Sequence, residues 1–165
     1  MARVIVNTIN KNQVVFVKDL QNEGVAGTSI PNAYAARPLN TLENPESYSW
    51  VSLATDQITL TAGTYIVEAI VMGGNNGTAN IFTKVKLRNI TDSTDDILSI
   101  ASMANNPLSE GEAARIPVSM SGMVAIASTK VFEIQARNTS GNTSNTATSF
   151  GHQELYTNVK ITKVT

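Results

Sequence analysis

The chain has 165 residues, a formal net charge of −1, 15% charged residues and no cysteine. That size class is one domain with a real core, and the balance excludes a basic nucleic-acid footprint, a disulfide framework and thiol chemistry. A single histidine, His152, excludes most multi-histidine metal sites, and no run approaches the roughly 20 apolar residues of a membrane-spanning helix.

Asn, Thr and Ser together make up 50 of the 165 residues. Solubility therefore comes from hydroxyls and amides more than from ions. Thr suits strands, while Asn and Ser suit turns. The opening Met1-Ala2-Arg3-Val4-Ile5-Val6-Asn7 lacks the apolar stretch of a signal peptide, so the expectation is an ordinary cytoplasmic translation product. Within it Val4 and Val6 share one face of a strand-like segment, with Ile5 opposite.

Apolar periodicity of two predicts strands near 13–19, 33–41, 50–59, 64–72, 80–90, 96–103, 115–127, 131–138 and 154–164. Over 64–72, Tyr65, Val67, Ala69 and Val71 line one side, and Ile66, Glu68, Ile70 and Met72 the other. Over 81–89, Ile81, Thr83, Val85 and Leu87 form a dry face, while Phe82, Lys84, Lys86 and Arg88 form a wet, basic one. Over 118–127, Val118, Met120, Val124 and Ile126 face Ser119, Ser121, Met123, Ala125 and Ala127. Phe132, Ile134 and Ala136 point inward from the next strand. In the last, Leu155, Thr157, Val159 and Ile161 are expected opposite Tyr156, Asn158, Lys160 and Thr162. Turn signals such as Thr61-Ala62-Gly63, Gly73-Gly74-Asn75-Asn76-Gly77 and Asn105-Asn106-Pro107 punctuate these runs. Residues 139–149 are nearly all Ser, Thr, Asn and Gly and read as a mobile loop. No strand–helix alternation occurs, so the fold class is an all-β antiparallel sandwich or barrel.

Two of these strands, 64–72 and 118–127, are apolar or small on both sides, as strands covered on both faces are. A sandwich of this length has little of its own to cover the second side, and another subunit is the simplest cover. Met123 and Tyr156 are the candidate contact residues, as large side chains on otherwise small or polar outward faces.

Several stretches resemble one family. These are Asp56-Gln57-Ile58-Thr59-Leu60-Thr61-Ala62-Gly63-Thr64-Tyr65-Ile66-Val67-Glu68-Ala69, Lys84-Val85-Lys86-Leu87-Arg88-Asn89-Ile90-Thr91-Asp92, Lys130-Val131-Phe132-Glu133-Ile134-Gln135-Ala136-Arg137 and Glu154-Leu155-Tyr156-Thr157-Asn158-Val159-Lys160-Ile161, with Arg37-Pro38-Leu39-Asn40-Thr41 earlier. In order and spacing they resemble the C1q/TNF-like jelly-roll of bacteriophage virion proteins, from about residue 13 onward. The resemblance implies a jelly-roll homotrimer around a threefold axis, placed on a virion surface. Such modules serve as capsid decoration (cement) proteins or as tail-fibre heads. No collagen-like, coiled-coil or β-helical shaft precedes the matched region, and that favours decoration, with the major capsid protein as partner. The alternative is a fibre head that recognises a host glycan or receptor. Residues 1–165 are then one jelly-roll domain, and 1–12 a candidate docking arm in which Arg3, Val4, Ile5 and Val6 reach the shell. The competing reading makes that arm the first strand of its own sheet.

Catalytic constellations are thin. His152 has no Gly-x-Ser-x-Gly elbow to serve, so a structural or surface role is expected. Asp92, Asp95 and Asp96 crowd one turn and could supply some calcium ligands, but without the spacing of a hand-type loop. A solvated acidic turn is the simpler reading. Glu43 and Glu46 flank Pro45 in a loop, with no cleft to support glycosidase chemistry. Lys84, Lys86 and Arg88 could form a receptor or nucleic-acid patch, although solubilising charges read more simply. Trp50 is expected in the core. The expectation is a non-enzyme that needs no cofactor and engages neither nucleic acid nor membrane.

Overall fold

A computed structural model describes residues 13–75, 81–104, 114–139, 143–145, 147 and 149–164. The candidate docking residues Arg3, Val4, Ile5 and Val6 lie outside them. Fourteen strand segments occur among the described residues, with no helix. In chain order they are β1 (Gln13–Gln21), β2 (Gly27–Ile30), β3 (Ala35–Ala36), β4 (Thr41–Glu43), β5 (Val51–Ala54), β6 (Gln57–Leu60) and β7 (Gly63–Asn75). The second half holds β8 (Ile81–Asn89), β9 (Thr94–Leu98), β10 (Ser102–Ala104), β11 (Ala114–Ile126), β12 (Lys130–Asn138), β13 (Thr143–Asn145) and β14 (Glu154–Val164).

The first sheet runs β11-β7-β14-β1-β4, and the second runs β10-β8-β12-β6-β5, with β3 on β12 and β9 on β8. A short ribbon, β13-β2, closes one side. Every pairing is antiparallel, and most neighbours in a sheet are distant in sequence, as in a jelly-roll. The inner faces meet in one core. Val15, Val17, Tyr65, Val67, Val71, Val118, Val159 and Ile161 come from the first sheet, and Ile58, Leu60, Val85, Leu87, Phe132 and Ile134 from the second.

Strict alternation makes the long strands legible. Their inner sets on β7, β8, β11 and β12 are those the sequence predicts, with Phe132, Ile134 and Ala136 fully buried. Trp50 is buried, its ring 5.8 Å from that of Tyr48 and 5.4 Å from that of Tyr65.

Five expectations need correction. The strand expected at 96–103 is two segments, β9 and β10, both paired with β8. The strand expected at 50–59 is the hairpin β5–β6, turning at Thr55 (φ 50°) and Asp56 (φ 64°) with Ala54 opposite Gln57. Two-residue hairpins of this twist require positive φ at both loop positions, which Asp tolerates and Thr rarely does, so no Asn-Gly signal marks it. The strand expected at 33–41 is two short pieces, β3 and β4, on different sheets. Part of the expected loop 139–149 is β13, which pairs with β2. Finally, the phase of β14 reverses at its start. Asp19 pairs with Thr157 but Leu20 with Leu155, so Tyr156 is the extra residue of a β-bulge. Upstream of the bulge Leu155 turns outward, and Tyr156 turns inward and is buried.

Candidate interaction surface

The outer face of the first sheet follows from the register. One row across it reads Met123, Ile66, Thr162, Val14. The next reads Ser121, Glu68, Lys160, Phe16, Glu43, and a third reads Ser119, Ile70, Asn158, Lys18, Thr41. Met123 is 67% exposed, Ile70 49% and Ile66 37%. The charges on this face are tied to one another. Lys160 Nζ lies 2.8 Å from Glu68 Oε2, and Lys18 Nζ lies 2.6 Å from Glu43 Oε1. The remaining positions are apolar or small uncharged residues, with Phe16 the one large ring among them, so the face is largely apolar and internally neutralised. A cavity of about 460 Å³ opens on it between Phe16, Ile70, Ser119, Asn158 and Lys160. Asn158 Oδ1 is buried there without a hydrogen-bond partner among the described residues, an acceptor that a partner's donor would satisfy.

Met123 therefore stands on this face as expected, but Tyr156 does not. The Tyr156 ring packs inside its own chain against Gly27, where a Cβ would lie only 2.5–2.8 Å from ring atoms. Its hydroxyl donates to Val25 O at 2.9 Å. Its role is to seat the β2 ribbon on β14, and the bulge that turns it inward leaves no sequence signal.

Two buried charged residues, not joined by an ion pair, are also invisible to the sequence pattern. Arg37 and Asp19 are both essentially inaccessible to solvent. Arg37 donates to Thr28 O at 2.6 Å and to Ser29 O at 3.1 Å, stapling β2 to the segment that leads into β4. Burial pushes the Asp19 carboxyl above its ordinary value, opposed by a hydrogen bond from Gln21 and by the charge of Arg37. Burial also lowers the Arg37 guanidinium, and Asp19 opposes that.

The acidic turn between β8 and β9 binds the protein's own cations. Asp92 Oδ1 lies 2.6 Å from Lys130 Nζ, and Asp95 Oδ1 lies 2.8 Å from Lys86 Nζ and 3.0 Å from Arg88 Nη1. Hydrogen bonds from these cations hold both carboxyls below the usual range. Asp96 accepts from Thr94 Oγ1 at 2.6 Å and from Asn89 Nδ2 at 3.3 Å. Among the described residues no group of three or more His, Asp or Glu side chains is arranged to hold a metal ion. His152 is exposed on the approach to β14.

Neither a protein-family model nor a curated protein matches this chain. Solved structures do match. Among them, Eiger TNF from S. frugiperda covers 93% of this chain and 93% of its own at 10% identity, with a TM-score of 0.59. Murine APRIL, at pH 8.0, covers 93% of this chain and 100% of its own at 9% identity, with a TM-score of 0.50. At such identity the likeness is one of fold. The chain is an all-β, antiparallel jelly-roll sandwich of the C1q/TNF-like type.

Proposed function

We propose that this chain is a homotrimeric structural protein of a virion surface, decorating the head shell through contacts with the major capsid protein. The observation that carries the self-association is the outer face of the first sheet. It is apolar at Ile66, Ile70 and Met123, and its charges are already paired. Burying such a face releases water from apolar surface without stranding an ion. The motif order described above supports the virion setting, and Arg3, Val4, Ile5 and Val6 are proposed to add a strand to the shell. The mechanism is mechanical and involves no catalysis. Each trimer engages several shell subunits at once, so individually weak contacts gain effective concentration.

Light scattering of the purified chain tests the first step. The expected mass is three times 17.6 kDa, and a folded monomer overturns the proposal. Deleting residues 1–10 tests the second. The trimer forms and melts as before but no longer binds undecorated heads. A second reading, a fibre head that recognises the host surface, is favoured by one observation, a cavity on the outer face of the second sheet lined by the exposed cations Lys84 and Arg137. Electron microscopy of labelled virions separates the two, with label on the head for decoration and at the tail tip for recognition.

A further inference from the structure

The outer face of the second sheet carries a cavity that the subunit contact does not use. The β3–β12 register pairs Ala36 with Gln135 and Ala35 with Ala136, and one step further sets Tyr34 beside Arg137. Arg137 in turn faces Lys84 on β8. Ala101 stands on the far side of Lys84, one step beyond the Ser102–Thr83 pair. One row thus crosses the sheet as Tyr34, Arg137, Lys84, Ala101. The neighbouring row holds Thr139 and Phe82, clamped by Thr139 N donating to Phe82 O at 3.1 Å and Phe82 N donating to Thr139 Oγ1 at 3.1 Å. These six residues line a cavity of about 320 Å³.

Its charge pattern is unusual for a bare sheet. Like charges directly opposite each other on paired strands are destabilising. Lys84 and Arg137 are such a pair, both exposed, and neither has a carboxylate partner among the described residues. The acids around them are committed elsewhere. Asp95 holds Lys86 and Arg88, while Glu133 accepts from Gln57 at 2.9 Å and from Gln135 at 2.8 Å. Arg137 is propped against the Tyr34 ring, its Cζ 5.6 Å from the centroid, and Lys86 Nζ lies 4.2 Å from the same ring. The Arg137 guanidinium is therefore positioned before any ligand arrives, which reduces the ordering cost of binding. Phe82 is 45% exposed beside the two cations, and Thr139 keeps its hydroxyl proton to donate.

We propose that this cavity binds an acidic sugar residue of the hexuronate type. Its carboxylate sits between Lys84 and Arg137, the apolar face of its ring rests on Phe82, and a ring hydroxyl accepts from Thr139. An anion between the two cations removes their repulsion, and the guanidinium offers a carboxylate paired, charge-assisted donors. A cavity of this size is at the small end of ligand sites and takes one ring rather than an extended chain. The exposed aromatic distinguishes a sugar acid from a bare anion, which has no face to stack.

The test is an NMR titration of the purified full-length chain with sodium glucuronate, glucose, acetate and inorganic phosphate in turn. Glucuronate should shift the amides of Phe82, Lys84, Arg137 and Thr139 saturably in the millimolar range. Each of the other three should bind about tenfold more weakly, because each lacks either the charge or the ring. Lys84→Gln should weaken glucuronate about tenfold and leave the melting temperature equal or higher, since it removes a like-charge neighbour. A variant that merely misfolds would melt lower, and Arg137→Gln, read in the same way, repeats the measurement from the other strand. Phe82→Ala should reduce the preference for glucuronate over acetate. Absence of shifts at these residues, phosphate or acetate binding as tightly as glucuronate, or unchanged affinity in both glutamine variants overturns the proposal.

Discussion

β7 and β8 follow one another in the chain, lie at the interior of opposite sheets and alternate with the same period, yet their outer faces differ. Inward, Tyr65, Val67, Ala69 and Val71 on β7 match Ile81, Thr83, Val85 and Leu87 on β8, and all eight are buried. Outward, β7 presents Ile66, Glu68, Ile70 and Met72, while β8 presents Phe82, Lys84 and Arg88, with Lys86, expected to be wet, buried against Asp95 and the Tyr34 ring. Desolvating the β7 face strands no charge, because Glu68 is already paired with Lys160. Desolvating the β8 face would strand Lys84 and Arg137, and unpaired charge out of water is expensive. Inner faces make the fold, and the outer charges set how costly each sheet would be to cover.

The largest expected effect comes from removing the first sheet's centre. Deleting residues 158–165 takes away Val159 and Ile161 and unpairs most of the β14 contacts with β7 and β1. Each buried aliphatic contributes about 1.5–3 kcal/mol against a total stability of about 5–15 kcal/mol. The truncated chain should be insoluble, and an unchanged melting curve would contradict the topology. Next, truncation on either inner face should be equally harmful. Leu87→Ala and Ile161→Ala should each lose about 2–5 kcal/mol in urea unfolding, since both side chains are fully enclosed.

Outward substitutions should separate the faces. Met123→Asp should reduce the mass seen by light scattering from trimer to monomer while the circular dichroism of the folded chain persists. Lys84→Asp on the other sheet should leave the mass unchanged. If both variants stay trimeric, the first sheet's outer face is not the subunit contact.

The smallest effect is in acid, where exposed and buried carboxyls should act with opposite sign. Asp92 and Asp95 are held below the ordinary carboxylate value, so their stabilisation is present above that value and is lost as pH falls through their folded-state pKa. Solvent screening keeps this contribution small. Asp19 is raised, so its contribution is full below the ordinary value and is lost as pH rises through its folded-state pKa. Urea midpoints of the wild type should therefore drift down slightly as pH rises from about 4 towards neutrality. Asp19→Asn should flatten that drift, and Asp92→Asn should blunt the fall below it.

Period-two alternation is a local property of the chain, and it makes the long strands, the inner faces and the sandwich class readable from the residues alone. Val85 and Leu87 need only each other's spacing to be assigned inward. The outward position of Met123 is readable for the same reason. Tyr156 is not, because its direction is set by one extra residue relative to Asp19 and Leu20, a matter of pairing between strands far apart in sequence. The β5–β6 turn at Thr55-Asp56 carries no glycine to announce it. β13 is hidden because its pairing with β2 makes it a strand where its composition reads as loop. The same limit applies to the cavity. Lys84 and Arg137 are unremarkable residues 53 positions apart in the sequence. Only the β8–β12 register sets the two cations opposite each other, since contact in a sheet depends on register and each strand's own pattern carries no record of its neighbour.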